Sequence, residues 1–366
     1  MKHPIKTILK ILGIILAVIL LIVIIYVAYV FFSYHRIEDN QSLKINAPSE
    51  QSMNYDNSMV KTGTEYIIGT YNVGFGAYLP DYSFFMDGGT ESRCYSKESA
   101  ANTINDAAKL AISYKPDFMM FQEVDRNSTR SYHVNQEEMM NKVFSPYYES
   151  FAVNYDSAYL FYPFRKPIGK SYSGLSLYSK YEITDSIRRS LPISTGFSKF
   201  LDLDRCYSIS RVNVENGKEL VLFTVHLSAY GNSDKIRQGQ LDMLFGDMKK
   251  EVDEGNYVVC GGDFNHDLKA DESETENCES WAFPFPRSQM PEGLGFAMDK
   301  LSEDEIKDMP ESSRNADMEY IPGKTYVVTL DGFIISDNIE MTEYEIKDTG
   351  YQYSDHQPVI MKFVLK

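Results

Sequence analysis

The chain has 366 residues and a globular composition, neither low-complexity nor disordered, with a formal net charge of −16. Residues 1–36 hold four bases and no acid, which leaves 32 bases against 52 acids, a charge of −20, on the remainder. Such a domain is repelled by polyanions at long range, so tight binding to duplex nucleic acid is disfavoured, although local phosphate binding through a cation or a small Arg/Lys cluster is not.

The N-terminal region predicts a membrane anchor. Residues 11–34 run for 24 residues without a charge, long enough to span a bilayer, and show no polar face. A secretory signal has a shorter apolar stretch, and this one ends in residues typical of an interfacial belt: Tyr26, Tyr29, Phe31, Phe32 and Tyr34. We therefore expect an uncleaved signal anchor over 11–34, after a tail at 1–10.

The charge flanking this anchor predicts its orientation. Lys2, Lys6 and Lys10 precede it, whereas Arg36, Glu38 and Asp39 follow. The positive-inside rule then places the N-terminus in the cytoplasm and the bulk of the chain outside, as a single-pass protein of the cell membrane. Residues 35–63 are polar and predict a juxtamembrane linker before a domain over 64–366.

The domain alternates strand-like and helix-like segments. Helices are predicted at 99–114, 136–144 and 233–252, where apolar residues recur at helical spacing. Strands are predicted at 65–72, 117–124, 148–153, 158–162, 174–180, 206–214, 219–227, 257–260, 327–336 and 358–365. Residues 266–325 form an acidic, loop-rich stretch. This pattern indicates one mixed α/β domain.

The four cysteines do not indicate a metal site. Cys94, Cys206, Cys260 and Cys278 have no CxxC spacing, so zinc binding is not expected. Cys260 lies in an apolar strand and is interpreted as a small buried residue. A disulfide among the others is compatible with the sequence, and its pairing is left open.

Polar residues stand at the ends of several strands, where packing does not require them. They are Asn72, Glu123, His226, Asp263, Asn265, Asp331, Asp355 and His356. Each has a plain alternative: a core histidine for His226, a rim charge for Glu123, and a turn for Asp331 or for Asp263–Asn265. Their joint occurrence at strand ends favours a shared site.

These residue types suit metal-assisted phosphate chemistry. The oxygens of Glu123, Asp355 and Asn72 are hard ligands suited to Mg²⁺, with Mn²⁺ as an alternative. A histidine held by a carboxylate takes a proton from water near neutral pH, and His226 and Asn265 can donate hydrogen bonds to phosphate oxygens. Gly261 and Gly262 precede Asp263 and are interpreted as clearance for a phosphate group and its metal.

The segments TYN, QEV, TVHLS, GGDFN, LDGFIIS and SDHQPV, taken in order, resemble the endonuclease/exonuclease/phosphatase superfamily over about residues 65–366. The resemblance implies a deoxyribonuclease I-like, four-layer α/β/β/α sandwich with its site at the strand ends. It implies metal binding by Glu123 and Asn72 with Asp355 nearby. His356 would be general base or act on the phosphate, oriented by Asp331.

By the same resemblance, Asp263 would position the attacking water, and Asn265 and His226 would bind the scissile phosphate. The implied activity is hydrolysis of a phosphate ester, a phosphodiester being favoured, on nucleic acid, a phospholipid head group or a small phosphodiester. His266-Asp267-Leu268 replaces the Arg-Ile pair that inositol polyphosphate 5-phosphatases carry near this point. A phosphoinositide 5-phosphatase is therefore disfavoured.

Three bases outside these motifs are candidate substrate contacts. Arg165 and Lys170 lie in a basic segment of an otherwise acidic domain, and Arg314 lies before the penultimate strand. The alternative for each is a solvated surface loop. The rival function from another class is a binding module that kept the fold and lost catalysis; every expected catalytic position nevertheless holds a competent residue.

Overall fold

The computed structural model describes residues 3–48, 58–200, 203–228, 234–274 and 281–366. Within them the helices are α1 (His3–Ser33), α2 (Lys97–Ser113), α3 (Gln136–Val143), α4 (Asp234–Asp253) and α5 (Glu303–Asp308). The first strands are β1 (Gln41–Ser42), β2 (Ile45–Asn46), β3 (Glu65–Asn72), β4 (Phe118–Asp125), β5 (Tyr148–Asp156), β6 (Tyr172–Ser179), β7 (Ile183–Ser190) and β8 (Cys206–Asn213). The remaining strands are β9 (Glu219–His226), β10 (Tyr257–Asp263), β11 (Leu294–Phe296), β12 (Ser313–Arg314), β13 (Val327–Val328), β14 (Asp331–Ser336), β15 (Ile339–Ile346) and β16 (Val359–Leu365).

Two seven-stranded sheets face each other. The first has the order β1-β7-β8-β9-β10-β14-β11, and the second has the order β15-β16-β3-β4-β6-β5-β2. Their facing surfaces share one core, in which Phe118 and Met120 of the second sheet lie with Phe223 and Phe333 of the first. Burial of such large apolar side chains is the main force that holds the sheets together.

Helices cover the outer face of each sheet. Ala107 and Ala111 of α2 pack on Met119 and Phe121 of the second sheet, and the small alanine side chains let the helix approach closely. Leu244 and Met248 of α4 belong to the core of the first sheet. The sequence-based prediction of a four-layer α/β/β/α sandwich is therefore confirmed.

Some individual strands differ from expectation. Residues 158–162, predicted as a strand, belong to a loop between β5 and β6. Strands β7 and β15 were not predicted, because their sequences ITDSIRRS and IEMTEYEI are too polar to read as core strands. They lie toward the sheet edges, where one face meets solvent and alternation is weaker.

The N-terminal region contains one helix, Ile5–Ser33, that is long and apolar enough to cross a membrane, a property that a signal sequence near an N-terminus shares. The chain after it does not run free as a linker would. Instead β1 pairs with β7 and β2 pairs with β5, so residues 41–46 add an edge strand to each sheet. Residues 49–57 of the predicted linker lie outside the described residues.

The predicted features at Ser233 and Cys278 also lie outside the described residues. The other three cysteines, Cys94, Cys206 and Cys260, are buried free thiols. Burial raises the pKa of Cys94 to about 12, so this thiol stays protonated and unreactive at neutral pH.

Candidate active site

Asp263, the last residue of β10, lies at the centre of a polar cluster. Strand register places it beside His226 on the parallel neighbour β9 and beside Asp331 on the antiparallel neighbour β14. Three chemically active side chains thus meet where the ends of three neighbouring strands of the first sheet lie side by side. All three are buried.

The two glycines before Asp263 serve the packing of the strand, which corrects their interpretation as clearance for phosphate. A Cβ on Gly261 would lie 2.5 Å from the Phe333 ring and 2.9 Å from Met120 Sδ, both in the core between the sheets. Gly262 has a φ of +148°, and its Cβ would lie 2.0 Å from the Val225 carbonyl oxygen. Only glycine fits because β9 and the opposite sheet approach so closely.

The second sheet contributes Asn72 from the end of β3 and Glu123 from β4. The Asn72 amide nitrogen donates across the sheets to Asp263 Oδ2 at 3.0 Å and also lies 3.4 Å from Glu123 Oε1. Glu123 has a positive φ of 58° and sits where the pairing of β4 with β6 shifts register. This bulge turns its carboxylate out of the ladder.

Asp355 and His356 come from the loop before β16. A loop is needed because adjacent residues of a regular strand would point to opposite faces. His356 Nδ1 lies 2.7 Å from Asp331 Oδ2, and His356 Nε2 lies 3.8 Å from Asp263 Oδ2. The Ser354 hydroxyl donates to the Asn72 carbonyl at 2.8 Å and accepts from the His356 backbone N–H at 3.2 Å. The loop is therefore fastened to the end of β3.

The carboxylates around His356 favour its charged form. Burial by itself would lower the pKa of His356, but the negative charges of Asp331, Asp263 and Asp355 outweigh burial and raise it well above its usual value. Asp331 Oδ2 also accepts from the Ser312 hydroxyl at 2.7 Å. The raised pKa favours the imidazolium form of His356, which Asp331 holds through Nδ1.

Burial shifts the pKa values of Asp263 and His226 toward the neutral form of each side chain. Burial raises the pKa of Asp263 to about 7, with the Asp331 charge adding to the rise while His356 counteracts it. Burial lowers the pKa of His226 well below its usual value, and the charges of Arg205 and His356 lower it further. His226 is therefore neutral; its Nε2 lies 3.5 Å from Asp263 Oδ2, and its buried Nδ1 has no partner among the described residues.

Glu123 and Asp355 form a pair of half-buried carboxylates. Burial raises the pKa of Asp355 to about 6, and the nearby Glu123 contributes to the rise. Within the described part of the chain, neither carboxylate forms an ion pair with Lys or Arg. Two neighbouring carboxylates without a cationic partner, beside the amide of Asn72, fit a hard divalent cation.

Asp263, Asp331 and His356 also offer ligand atoms within 4.8 Å of one another. The oxygen donors of Asn72, Glu123 and Asp355 fit a hard cation such as Mg²⁺ better, because Mg²⁺ prefers oxygen ligands to imidazole nitrogen.

Asn265 follows β10 in a left-handed conformation with φ of +50°. Its backbone N–H donates to Asp263 Oδ1 at 2.9 Å, and its side-chain amide donates to the Leu227 carbonyl at 2.9 Å. The second amide hydrogen remains for another acceptor. The structure thus brings together all eight strand-end residues that the sequence singled out.

Of the three candidate substrate-binding bases, Arg314 adjoins this cluster, because its backbone N–H donates to the Asp355 carbonyl at 2.9 Å. Arg314 is buried, and its guanidinium donates to backbone carbonyls of Leu79, Tyr82, Asn315 and Met318, so it fastens loops instead of facing substrate. Arg165 and Lys170 lie exposed in the loop between β5 and β6, where Lys170 pairs with Asp156 at 3.3 Å.

Arg205 is a polar residue near the site that the sequence did not single out. It immediately precedes β8 and is buried, yet its Nε and Nη1 have no hydrogen-bond partner among the described residues. Its charge lowers the pKa of His226, which places it close to that ring. The sequence showed only an arginine directly before an apolar strand. Such arginines are usually exposed, so this position did not indicate a buried residue near the site.

The sequence matches a known family. The sequence model described as "Endonuclease/Exonuclease/phosphatase family" matches residues 69–299. No curated protein sequence matches the chain significantly.

Solved structures share the fold at low identity. An endonuclease/exonuclease/phosphatase from Beutenbergia cavernae superposes with a TM-score of 0.56 at 14% identity, covering 82% of this chain and 72% of the other. TDP2 of D. rerio, complexed with a single-strand DNA product, gives 0.53 at 15%, covering 82% and 99%. The human Nocturnin catalytic domain with bound sulfate gives 0.52 at 16%, covering 82% and 95%. Because the family model spans more than half of the chain, this protein belongs to the endonuclease/exonuclease/phosphatase family.

Proposed function

We propose that this protein is a membrane-anchored, divalent-metal-dependent phosphoesterase that hydrolyses a phosphate ester, with a phosphodiester favoured over a monoester. The observation that carries the proposal is the buried His356–Asp331 pair beside Asp263. Next to it lie the carboxylates Glu123 and Asp355, which form no ion pair with Lys or Arg among the described residues. Opposite pKa shifts in adjacent groups are a mark of acid–base function.

The reaction is in-line attack of water on phosphorus. Asp263 takes the water proton at Oδ2, for which a pKa of about 7 is suited near neutral pH. The new P–O bond forms as the bond to the leaving alcohol breaks; the leaving oxygen takes a proton from solvent, and Asp263 returns the water proton to solvent. No oxidant or second substrate is needed.

The remaining groups stabilise the negative charge that builds on the phosphate. Protonated His356 donates from Nε2, with Asp331 fixing the ring through Nδ1. Asn265 and His226 donate to phosphoryl oxygens from the other side of Asp263. We add Arg205, whose unpartnered nitrogens suit a phosphate oxygen near His226.

Asn72, Glu123 and Asp355 would hold the metal, with Mg²⁺ favoured and Mn²⁺ as an alternative. When bound there, the cation would supply Lewis-acid stabilisation of a phosphoryl oxygen. The D. rerio TDP2 structure is a complex with a single-strand DNA product, and the human Nocturnin structure has a bound sulfate anion. They support an anionic, phosphate-like substrate here, either nucleic acid or a phospholipid head group.

The proposal includes a single-pass topology: tail 1–10 in the cytoplasm, anchor 11–34, juxtamembrane segment 35–63 and catalytic domain 64–366 outside the cell membrane. The apolar helix and the lysines before it support this arrangement. Protease added to intact cells should remove the domain. Protection until lysis would overturn the outward orientation.

Activity is tested with the full chain in detergent, using Mg²⁺, Mn²⁺ or Ca²⁺ and a panel of bis(p-nitrophenyl) phosphate, single-stranded DNA, RNA and phospholipid. We expect metal-dependent release that EDTA abolishes and that His356→Ala lowers by about 10³-fold. The matched control His133→Ala alters an exposed histidine outside the cluster and should leave the rate unchanged. Equal rates in wild type and His356→Ala would favour the rival function, an inactive binding module.

A further inference from the structure

The anchor and the candidate active site lie at the same end of the sandwich. Strand β5 runs parallel to β4, because both pair antiparallel with β6; β7 likewise runs parallel to β9, because both pair antiparallel with β8. The carboxyl ends of β5 and β7 therefore lie at the end that carries Glu123 and His226. The last turns of α1 contact the chain just beyond these two strand ends.

Several side chains make this contact. Tyr26 donates from its hydroxyl to the Tyr159 carbonyl at 3.0 Å, and its ring lies edge-on to Phe161 with centroids 4.7 Å apart. After β7, Phe200 packs against Phe31 and Tyr34 at 5.7 and 5.1 Å. The contact joins the helix to both sheets.

The chain after α1 fixes this arrangement. Arg36 forms an ion pair with Asp204, whose carboxylate also accepts from the Ile37 backbone N–H at 2.7 Å. Strands β1 and β2 then pair with the edges of both sheets. A domain tied on both sheets so soon after Ser33 has little freedom to turn relative to the helix.

Exposed apolar side chains lie next to the contact between α1 and the loop after β5. We call Met86, Phe161, Tyr162 and Phe164 the rim patch; they are 66%, 49%, 62% and 84% exposed. Tyr162 packs on Phe85 with centroids 5.6 Å apart. Phe85 packs on Phe84, which packs on Phe75, and a Cβ on the preceding Gly74 would lie 3.0 Å from Asp355 Oδ1. The patch thus connects the end of the anchor with the metal-binding carboxylates.

The length of α1 sets the depth of this patch. A hydrocarbon core takes about 20 residues, so the uncharged stretch from Ile11 fills it by about residue 30. At about 1.5 Å per residue, Tyr26 then lies roughly 6 Å inside the outer boundary of the core. Phe161 touches Tyr26, so its loop reaches the boundary between acyl chains and head groups. Arg165, beside Phe164, is exposed and suited to lipid phosphates.

We propose that the rim patch rests in the interface of the bilayer that α1 spans, so that the active site opens toward this membrane and takes phosphate esters from its head-group layer. The proposal rests on the phosphoesterase function and narrows its substrate to phospholipid. Aromatic side chains favour this interfacial layer, and a patch of this kind beside an anchor is not expected on a surface that faces water.

The docking is tested by fluorescence in nanodiscs of phosphatidylcholine and phosphatidylglycerol. The chain has one tryptophan, so a Trp281→Phe background carries either Phe164→Trp or the control Met59→Trp. Met59 is 46% exposed at the opposite end of the sandwich, next to Val60, which bridges to Val214. Phosphatidylcholine brominated near the head group should quench Phe164→Trp roughly twofold or more and leave Met59→Trp unchanged.

An unquenched Phe164→Trp overturns the proposal. Protection of that tryptophan from acrylamide without quenching by lipid would show a second copy or another protein on the patch, and would overturn it equally. These measurements do not depend on catalysis, so they remain decisive even if no hydrolysis is found.

The substrate is tested with a rate comparison. Tyr162→Ser/Phe164→Ser should lower metal-dependent hydrolysis of phospholipids in mixed vesicles of phosphatidylcholine, phosphatidylethanolamine, phosphatidylglycerol and sphingomyelin by about tenfold. The same variant should leave bis(p-nitrophenyl) phosphate hydrolysis unchanged, and Met59→Ser should alter neither rate. Hydrolysis of the soluble ester without any vesicle phospholipid would overturn the proposal and leave the phosphoesterase function intact. Loss of both reactions in wild type would instead refute the phosphoesterase function.

Discussion

Asp331→Asn tests how the active site charges His356. Asp331 is fully buried, and its Oδ2 lies 2.7 Å from His356 Nδ1. The substitution keeps the shape and an oxygen that can accept from Ser312, but it removes the negative charge that holds the imidazolium. If protonated His356 stabilises the phosphate, this change should act on catalysis more than on folding.

The magnitude follows from the geometry. At this separation, with an effective dielectric constant of about 20, the Coulomb attraction is about 6 kcal/mol, which is an upper bound. Breaking buried ion pairs costs about 3–5 kcal/mol in practice. A loss of about 3–4 kcal/mol in transition-state stabilisation corresponds to a fall in kcat/KM of roughly 10²–10³-fold.

The assay is kcat/KM for bis(p-nitrophenyl) phosphate between about pH 5 and 10, with saturating Mg²⁺. The contribution of cationic His356 is present below its raised pKa and is lost as pH rises through that value. Asp331→Asn lowers this pKa, so the alkaline limb of the profile should move to lower pH. Ser312→Ala removes a neutral hydrogen bond to the same oxygen, and with it the acceptor of the Leu330 and Asp331 backbone N–H groups, but leaves the charge of Asp331 in place. It should therefore cost about tenfold with little shift of the limb.

A folded Asp331→Asn protein with the wild-type rate and pH profile would refute this account of His356. A large loss of rate with an unmoved alkaline limb would show that Asp331 acts in some way other than holding the charge.

Two further predictions concern buried charged groups. Arg205→Gln should raise KM for the soluble phosphodiester about tenfold, because a phosphate ligand is lost, and should raise the pKa of His226 by removing a neighbouring cation; an unchanged KM would exclude the phosphate contact. Burial raises the pKa of Glu149 to about 7. Between about pH 4.5 and 7 this carboxyl is therefore protonated in the folded state and ionised in the unfolded state, so the free energy of unfolding falls as pH rises through that window. Glu149→Gln should therefore be more stable than wild type at pH 8 by up to about 3 kcal/mol in urea unfolding, and equal near pH 4.5; parallel curves, as expected for the exposed control Glu138→Gln, would contradict this.

Much of the fold was predictable from local patterns. The helical spacing of Ala107 and Ala111 reports burial because one buried face of a helix imposes a period on the sequence. The continuous apolar runs of β9 and β10 report it because both faces of these strands are buried. Polar strands such as β15, at the edge of the second sheet, were missed because an edge strand imposes no such constraint. The loop at 158–162 was mistaken for a strand because its aromatic side chains contact helix α1 instead of a sheet.

The candidate active site was likewise predictable in part. Its members were visible as polar groups at strand ends, but their contacts were not. Asn72 and Asp263 are 191 positions apart and meet only because two sheets pack face to face. Arg314 looked like a substrate contact until the fold brought it to the Leu79 carbonyl, 235 positions away. Arg205 carried no motif at all.

Local patterns in the sequence predict an apolar N-terminal helix, a mixed α/β domain and a set of carboxylates, amides and histidines at strand ends, since these features depend on periodicity and residue chemistry. Only the folded chain shows which partners set each charge, that Gly261 and Gly262 serve strand packing, and that the end of α1 and the candidate active site share one end of the sandwich. These depend on strand direction and on contacts between distant segments, which no local pattern specifies.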